Sequence, residues 1–127
     1  MKYKMYQILN FPPFFDKIKN NKLPFSTSYK LAILSEELDK HIKFYQENYH
    51  KLIMQYCQKD EGGRPVIAED GINILLNPTT EAEAYEKLQE LREVEVILPD
   101  ITFLPKDFEG IELTVVEMRT ILPLIKE

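Results

Sequence analysis

Between positions 27 and 58 the chain carries no glycine or proline, and its apolar residues recur in steps of three and four. Leu31, Leu34, Leu38, Ile42, Tyr45, Tyr49, Leu52 and Tyr56 all fall on this rhythm. That is the period of one face of an α-helix. Ser26 or Thr27 is suited to cap its start. Glu36–Lys40, Asp39–Lys43 and Glu47–Lys51 stand in the acid-before-lysine order that supports a helix at a spacing of four. A helix of this length runs to roughly 48 Å, against roughly 36 Å for a sphere holding a chain of this size. The pattern therefore predicts a helix that bends, or that offers part of its length to a partner.

The flanking segments are shorter. Residues 1–9 alternate loosely and read as a strand. Asn10–Pro13 reads as a turn, after which Pro12 and Pro13 can open a short helix through Asn20, ended by Lys22-Leu-Pro24. Lys59–Gly63 breaks the long helix, and 65–67 and 72–76 flank an Asp-Gly turn as a β-hairpin. Asn77–Thr80 opens a second helix to about Arg92, with Thr80 and Glu83 at capping-box spacing and Ala84, Tyr85, Leu88 and Leu91 as its apolar face. Residues 93–98 read as a strand. Paired with the N-terminal strand, it sets Lys2 and Lys4 across from Glu93 and Glu95. Pro99 and Pro105 bracket an extended stretch, and a last helix starts at Thr114 with Glu117 completing a cap and Pro123 disturbing its end.

The expected fold is thus a single α+β domain over residues 1–127. A long amphipathic helix packs antiparallel on a shorter one, joined by a β-hairpin, with a small sheet from the N-terminal and 93–98 strands.

Length and composition agree with one globular domain: 127 residues, 44% apolar and 29% charged. Sixteen bases against 21 acids leave a net charge of −5, which argues against a general nucleic-acid binder. The charge is polarised. Residues 1–24 hold five lysines and one aspartate, a net of +4; residues 79–127 hold twelve acids and five bases, a net of −7. The ends are expected to attract one another, within the fold or between copies. No apolar run is long enough to span a membrane, and the N-terminus lacks the apolar core of a signal peptide, so a cytoplasmic location is expected.

Candidate chemistry is sparse. Cys57, the one cysteine, cannot form an internal disulfide or a cysteine-based zinc site, and reads as a small buried apolar residue. His41 and His50 are nine apart, on opposite sides of a helix, and cannot share a metal. Asp60, Glu61, Glu69 and Asp70 gather near the hairpin without the alternation of a calcium loop. Four glycines include no phosphate-cradling motif. The expectation is a non-enzyme with no catalytic residue, no metal and no cofactor, acting through protein surfaces. Two readings fit the tyrosine stripe: packing on the chain's own second helix, or a face for a partner. On the second, Tyr45, Tyr49, Leu52 and Tyr56, with the acids Glu93 and Glu95, are the partner-binding candidates.

Five stretches carry a resemblance to a family of short proteins of unknown function from tailed bacteriophages of Gram-positive hosts. They are Lys22-Leu-Pro24 before the long helix, Lys59-Asp-Glu-Gly-Gly63 at its end, Glu93-Val-Glu-Val96, Ile111-Glu-Leu-Thr114 with Glu117, and Leu122-Pro-Leu-Ile125. Family members often read Leu-Thr-Pro-Ala-Glu at the last helix start, where this chain has Val115 and Val116. The resemblance implies a phage accessory protein of the late tail-to-lysis region. The expected partners are a phage structural protein or a host protein, with further copies of the chain in an oligomer, in the host cytoplasm or on the virion. The resemblance supplies no catalytic residues.

Overall fold

A computed structural model describes residues 1–126. They form five α-helices, a two-stranded antiparallel sheet and two short 3-10 turns. The chain gathers into two compact units, Met1–Ile42 with Glu95–Glu127, and Lys43–Val94. The long helix belongs to both, so its length is shared out between two separate sets of contacts.

In the first unit, β1 (Lys2–Lys4) pairs antiparallel with β2 (Glu95–Ile97). The register sets Lys4 opposite Glu95, as charge pairing suggested, and Lys2 opposite Ile97. Tyr3 and Val96, facing each other, turn inward. The N-terminal ammonium adds bonds to the Leu98 carbonyl and to Asp100, each at 3.1 Å.

The expected strand over 1–9 stops at Lys4, and Met5–Ile8 is a helical turn, α1. Met5 and Ile8, three apart, are both fully buried, which a strand would not allow because it would point them to opposite faces. The Gln7 side chain accepts the Lys4 backbone N–H at 2.8 Å and closes the start of the turn. Helix α2 (Phe11–Ile18) carries Pro12 and Pro13 in its first turn, where their missing N–H costs nothing.

Helix α3 spans Phe25–Tyr56, displaced by two residues from the 27–58 expected. Ser26 and Thr27 therefore lie inside its first turn and do not cap it. Thr27 is buried, and its hydroxyl donates to Asp107 Oδ1 at 3.3 Å. The other Asp107 oxygen accepts the Leu104 N–H at 2.7 Å and caps the 3-10 turn Pro105–Phe108. Leu31, Leu34 and Leu38 are core residues, as their spacing implied. Lys40 pairs with Glu37 at 2.9 Å, three residues before it, in place of Glu36.

Helix α5 (Val115–Ile121) has the cap read from sequence. Thr114 Oγ accepts the Glu117 N–H at 3.2 Å, and Glu117 accepts the Thr114 N–H at 2.8 Å. Beyond it, Pro123 lies in the 3-10 turn Leu122–Leu124. Thr114→Ala is expected to cost about 1 kcal/mol in a urea melt. The backbone bond from Thr114, helped by Lys17 3.8 Å away, holds the Glu117 carboxyl below its ordinary value of 4.5. A lowered folded-state value stabilises above the ordinary carboxylate range and is lost as pH falls through it. The stability gap between the parent and Glu117→Gln should therefore be wider at neutral pH than in acid, as read by melts at the two.

Candidate interaction surface

The second unit is built from the last turns of α3, three extended segments and helix α4 (Glu81–Arg92). The expected hairpin is present. Ile67 bridges Ile74, the Ala68 N–H donates to Asn73 O at 2.7 Å, and Gly71 takes a positive φ of 73° at the turn. Asp70 Oδ1 accepts the Ile72 and Asn73 N–H groups at 2.9 and 3.0 Å. These bonds hold its carboxyl below the ordinary range.

A third segment, Cys57–Asp60, joins the hairpin and was not foreseen. The Gln58 N–H donates to Leu75 O, the Leu75 N–H to Val66 O, and the Val66 N–H to Gln58 O, at 2.8, 2.9 and 2.9 Å. Three segments thus close on one another in a ring of backbone bonds, leaving none as an open edge at that level. Asp60 Oδ1 accepts the Gly62 and Arg64 N–H groups, both at 2.9 Å, and shapes the turn between the first two. Of the four acids near the hairpin, Asp60 and Asp70 are therefore occupied by their own turns. Among the described residues no group of three or more His, Cys, Asp or Glu side chains is placed to hold a metal ion. Cys57 is buried just beyond α3, its thiol against the Met54 carbonyl.

The candidate residues fare differently. Tyr56 is buried, and its hydroxyl donates to Glu83 Oε1 at 3.1 Å. Burial, and then that bond, raises its phenol above the ordinary value. Tyr56 thus packs inside its own unit. Glu83, at the capping position after Thr80, holds that hydroxyl, and Thr80 caps α4 without a side-chain bond. Tyr45 and Leu52 are half-buried. Tyr49 is 42% exposed, its ring 5.8 Å from that of Tyr45. Glu93 closes α4 in the second unit, accepting from Gln89 Nε2 at 3.2 Å, whereas Glu95 is an exposed residue of β2 in the first.

Around Tyr49 lie residues that were not among the partner-binding candidates. A groove of about 280 Å³ is lined by Tyr49, Ile53, Leu75, Tyr85 and Leu88 among others, with Glu81 at its side. Ile72 is 82% exposed in an adjoining hollow, and Tyr85, assigned to the apolar face of α4, is 57% exposed. Tyr49, Ile72, Leu75 and Tyr85 leave large apolar side chains in water on one small unit. That unit carries ten acids and six bases, a net of −4. Only the neighbourhood of exposed apolar residues distinguishes this place, and that depends on how the hairpin, the Cys57–Asp60 segment and α4 come together, which pattern alone does not reveal.

No protein-family model matches the chain, and neither a curated protein nor a solved structure matches it. Among the described residues no helix is long and apolar enough to cross a membrane.

Proposed function

We propose that this chain is a non-enzymatic interaction protein, and that its working surface is the apolar face around Tyr49, Ile72, Leu75 and Tyr85. The observation that carries this is the exposure of Tyr49, Leu75 and Tyr85 about one groove, with Ile72 exposed in the hollow beside it. Contiguous apolar surface of this kind, rimmed by charge, is characteristic of sites that bind other proteins. With it goes a finer reading of the fold, in which α4 runs antiparallel beside the last turns of α3; the Tyr56–Glu83 bond supports it. The likeness to short tailed-phage proteins makes virion or tail assembly the setting, with the protein acting as an oligomer in the host cytoplasm.

The test is affinity capture from phage-infected cells with the parent and with Tyr49→Asp/Tyr85→Asp. The parent should retain virion proteins and the double variant should lose them. Both substitutions are exposed, so the melting temperature should move by little. Tyr49→Ala alone should cost under about 1 kcal/mol, where a core tyrosine would cost roughly 3 kcal/mol or more. Undiminished capture by the double variant would remove the surface from consideration.

The surplus of acid over residues 79–127, with Glu95 exposed, favours a second reading as an inhibitor that covers a basic site on a host protein. Glu93→Lys with Glu95→Lys should then abolish inhibition in a folded protein, while the apolar double variant leaves it intact.

A further inference from the structure

The sheet of the first unit has two strands, so each keeps one edge with no strand beside it. The hydrogen bonds fix which groups face those edges. The Met1 ammonium donates to the Leu98 carbonyl at 3.1 Å and the Leu98 N–H to Met1 O at 2.9 Å, which makes them a bonded pair. Bonded pairs alternate along antiparallel strands, so Tyr3 and Val96 are the next one. The backbone groups of Lys2, Lys4, Glu95 and Ile97 therefore point outward. On β1 that edge is closed at Lys4, whose N–H is held by Gln7 Oε1 before the chain turns into α1. On β2 it is open. Among the described residues the N–H and C=O groups of Glu95 and Ile97 have no hydrogen-bond partner. Ile97 is also 69% exposed, a large β-branched side chain in water on an edge strand.

Such an edge takes another extended strand, and β2 fits a copy of itself. Set antiparallel about a twofold axis at Val96, Glu95 of each copy faces Ile97 of the other. Each facing pair exchanges two N–H to O bonds, so every outward group of both strands is used. Across the joined sheet the exposed face then reads Lys2 and Ile97 from one copy, Glu95 and Lys4 from the other. The stems of Lys2 and Glu95 cover Ile97 from its two sides, and each Glu95 keeps Lys4 across from it. Neighbouring registers lose this. Glu95 across from Glu95 opposes like charges. Ile97 across from Ile97 brings Glu95 to Pro99, which has no N–H and whose carbonyl already accepts the Ile101 N–H at 2.9 Å.

We propose that β2 is the seat of a symmetric dimer, in which two copies join their Glu95–Ile97 edges into one four-stranded sheet. Resting on the reading above only for the chain being an oligomer, this dimer is independent of the apolar surface on the second unit.

The measurement is sedimentation velocity of the full chain from micromolar to millimolar concentration, with amide hydrogen exchange read by NMR at both ends of the range. A monomer–dimer equilibrium is expected. The Glu95 and Ile97 N–H groups should be protected at high concentration and exchange freely at low, while those of Tyr3 and Val96 stay protected at both. Ile97→Pro removes an outward N–H that β1 does not use, and should weaken the dimer about tenfold or more through the two bonds lost. Ile97→Glu keeps the backbone and gains Lys2 as a neighbour, but sets acids face to face across the axis. It should weaken the dimer in a chain whose melt shows it folded. Adding Glu95→Lys turns that contact into an ion pair and should restore association. Tyr49→Asp/Tyr85→Asp should dimerise as the parent does, so failure of the dimer and failure of the apolar surface read separately. A monomer at millimolar concentration, exchange at Glu95 and Ile97 that ignores concentration, or a dimer indifferent to both Ile97 variants would overturn the dimer. Protection of this edge only by added phage or host protein would overturn it in favour of a strand from another protein.

Discussion

Aspartate in place of Leu38 is expected to cost on the order of 5 kcal/mol and to leave the chain unfolded or loosely packed at neutral pH. Leu38 is 2% exposed, on the buried face of α3 with Leu31 and Leu34. Truncating a buried leucine to alanine costs about 2–5 kcal/mol through lost contacts and the cavity left behind. Aspartate adds a carboxylate with no cation in the apolar layer to receive it, a further penalty of several kcal/mol. Against a total stability of about 5–15 kcal/mol, that is most or all of what a small protein has. The effect also has a direction in pH. Burial pushes an introduced carboxyl up from the ordinary aspartate range, so protonating it in the folded state relieves part of the cost. The variant should lie closer to the parent near pH 4.5 than near pH 7.5, in circular dichroism melts recorded at each. A normal melt at neutral pH would mean that Leu38 does not face the interior.

The same helix shows what its period could and could not convey. Leu31 and Tyr49 are eighteen residues apart, about five complete turns, and so lie on one face. Leu31 is buried and Tyr49 is exposed. Periodicity specifies direction around a helix, but the depth of chain over each turn depends on which segments return to cover it. Over Leu31, Leu34 and Leu38 the covering is the first unit's core, which includes Phe11, Phe14 and Phe103. Around Tyr49 it is the smaller second unit, which leaves a groove. Tyr56, from the same stripe, is buried because Glu83 gives its hydroxyl a partner. Capping chemistry was legible at Thr114 and Glu117, since both bonds lie within four residues. The β1–β2 pairing was legible from charge and alternation, although the strand proved shorter once Met5 and Ile8 both had to turn inward.

What sequence reasoning missed is non-local. The ring through Gln58, Val66 and Leu75 consists of backbone bonds, to which side-chain pattern is indifferent. A hollow lined by Tyr3 and Arg119 joins residues more than a hundred positions apart. Alternation put Tyr3 on the inner face of its strand, but not with an unpaired hydroxyl there. Only the assembled neighbours reveal such a group.

Phe103→Ala is the second large effect expected, at about 4 kcal/mol. Its ring is 1% exposed and lies 5.1 Å from that of Phe108, which in turn meets Phe14 edge-on at 5.7 Å. Three aromatic rings thus tie α2 to the extended stretch 101–104 and the 3-10 turn after it. Above the Phe103 ring sits Lys30 Nζ, 5.8 Å from its centre, which also donates to the Thr102 carbonyl at 2.9 Å. The backbone of Phe103 is held independently, its N–H donating to Leu124 O and its carbonyl accepting from the Lys126 N–H, both at 2.8 Å. Truncation leaves those bonds formally intact and removes the ring alone, so its cost is the burial, the cavity and the aromatic contacts, about 3–5 kcal/mol together. Phe103→Leu fills most of the space and should lose roughly 1.5 kcal/mol, which separates volume from ring-specific contact. If the extended stretch were held by its backbone bonds alone, the alanine and leucine variants would denature at the parent's urea midpoint. A large gap between alanine and leucine, with leucine near the parent, would instead make this ring the packing centre that joins the stretch after β2 to α2.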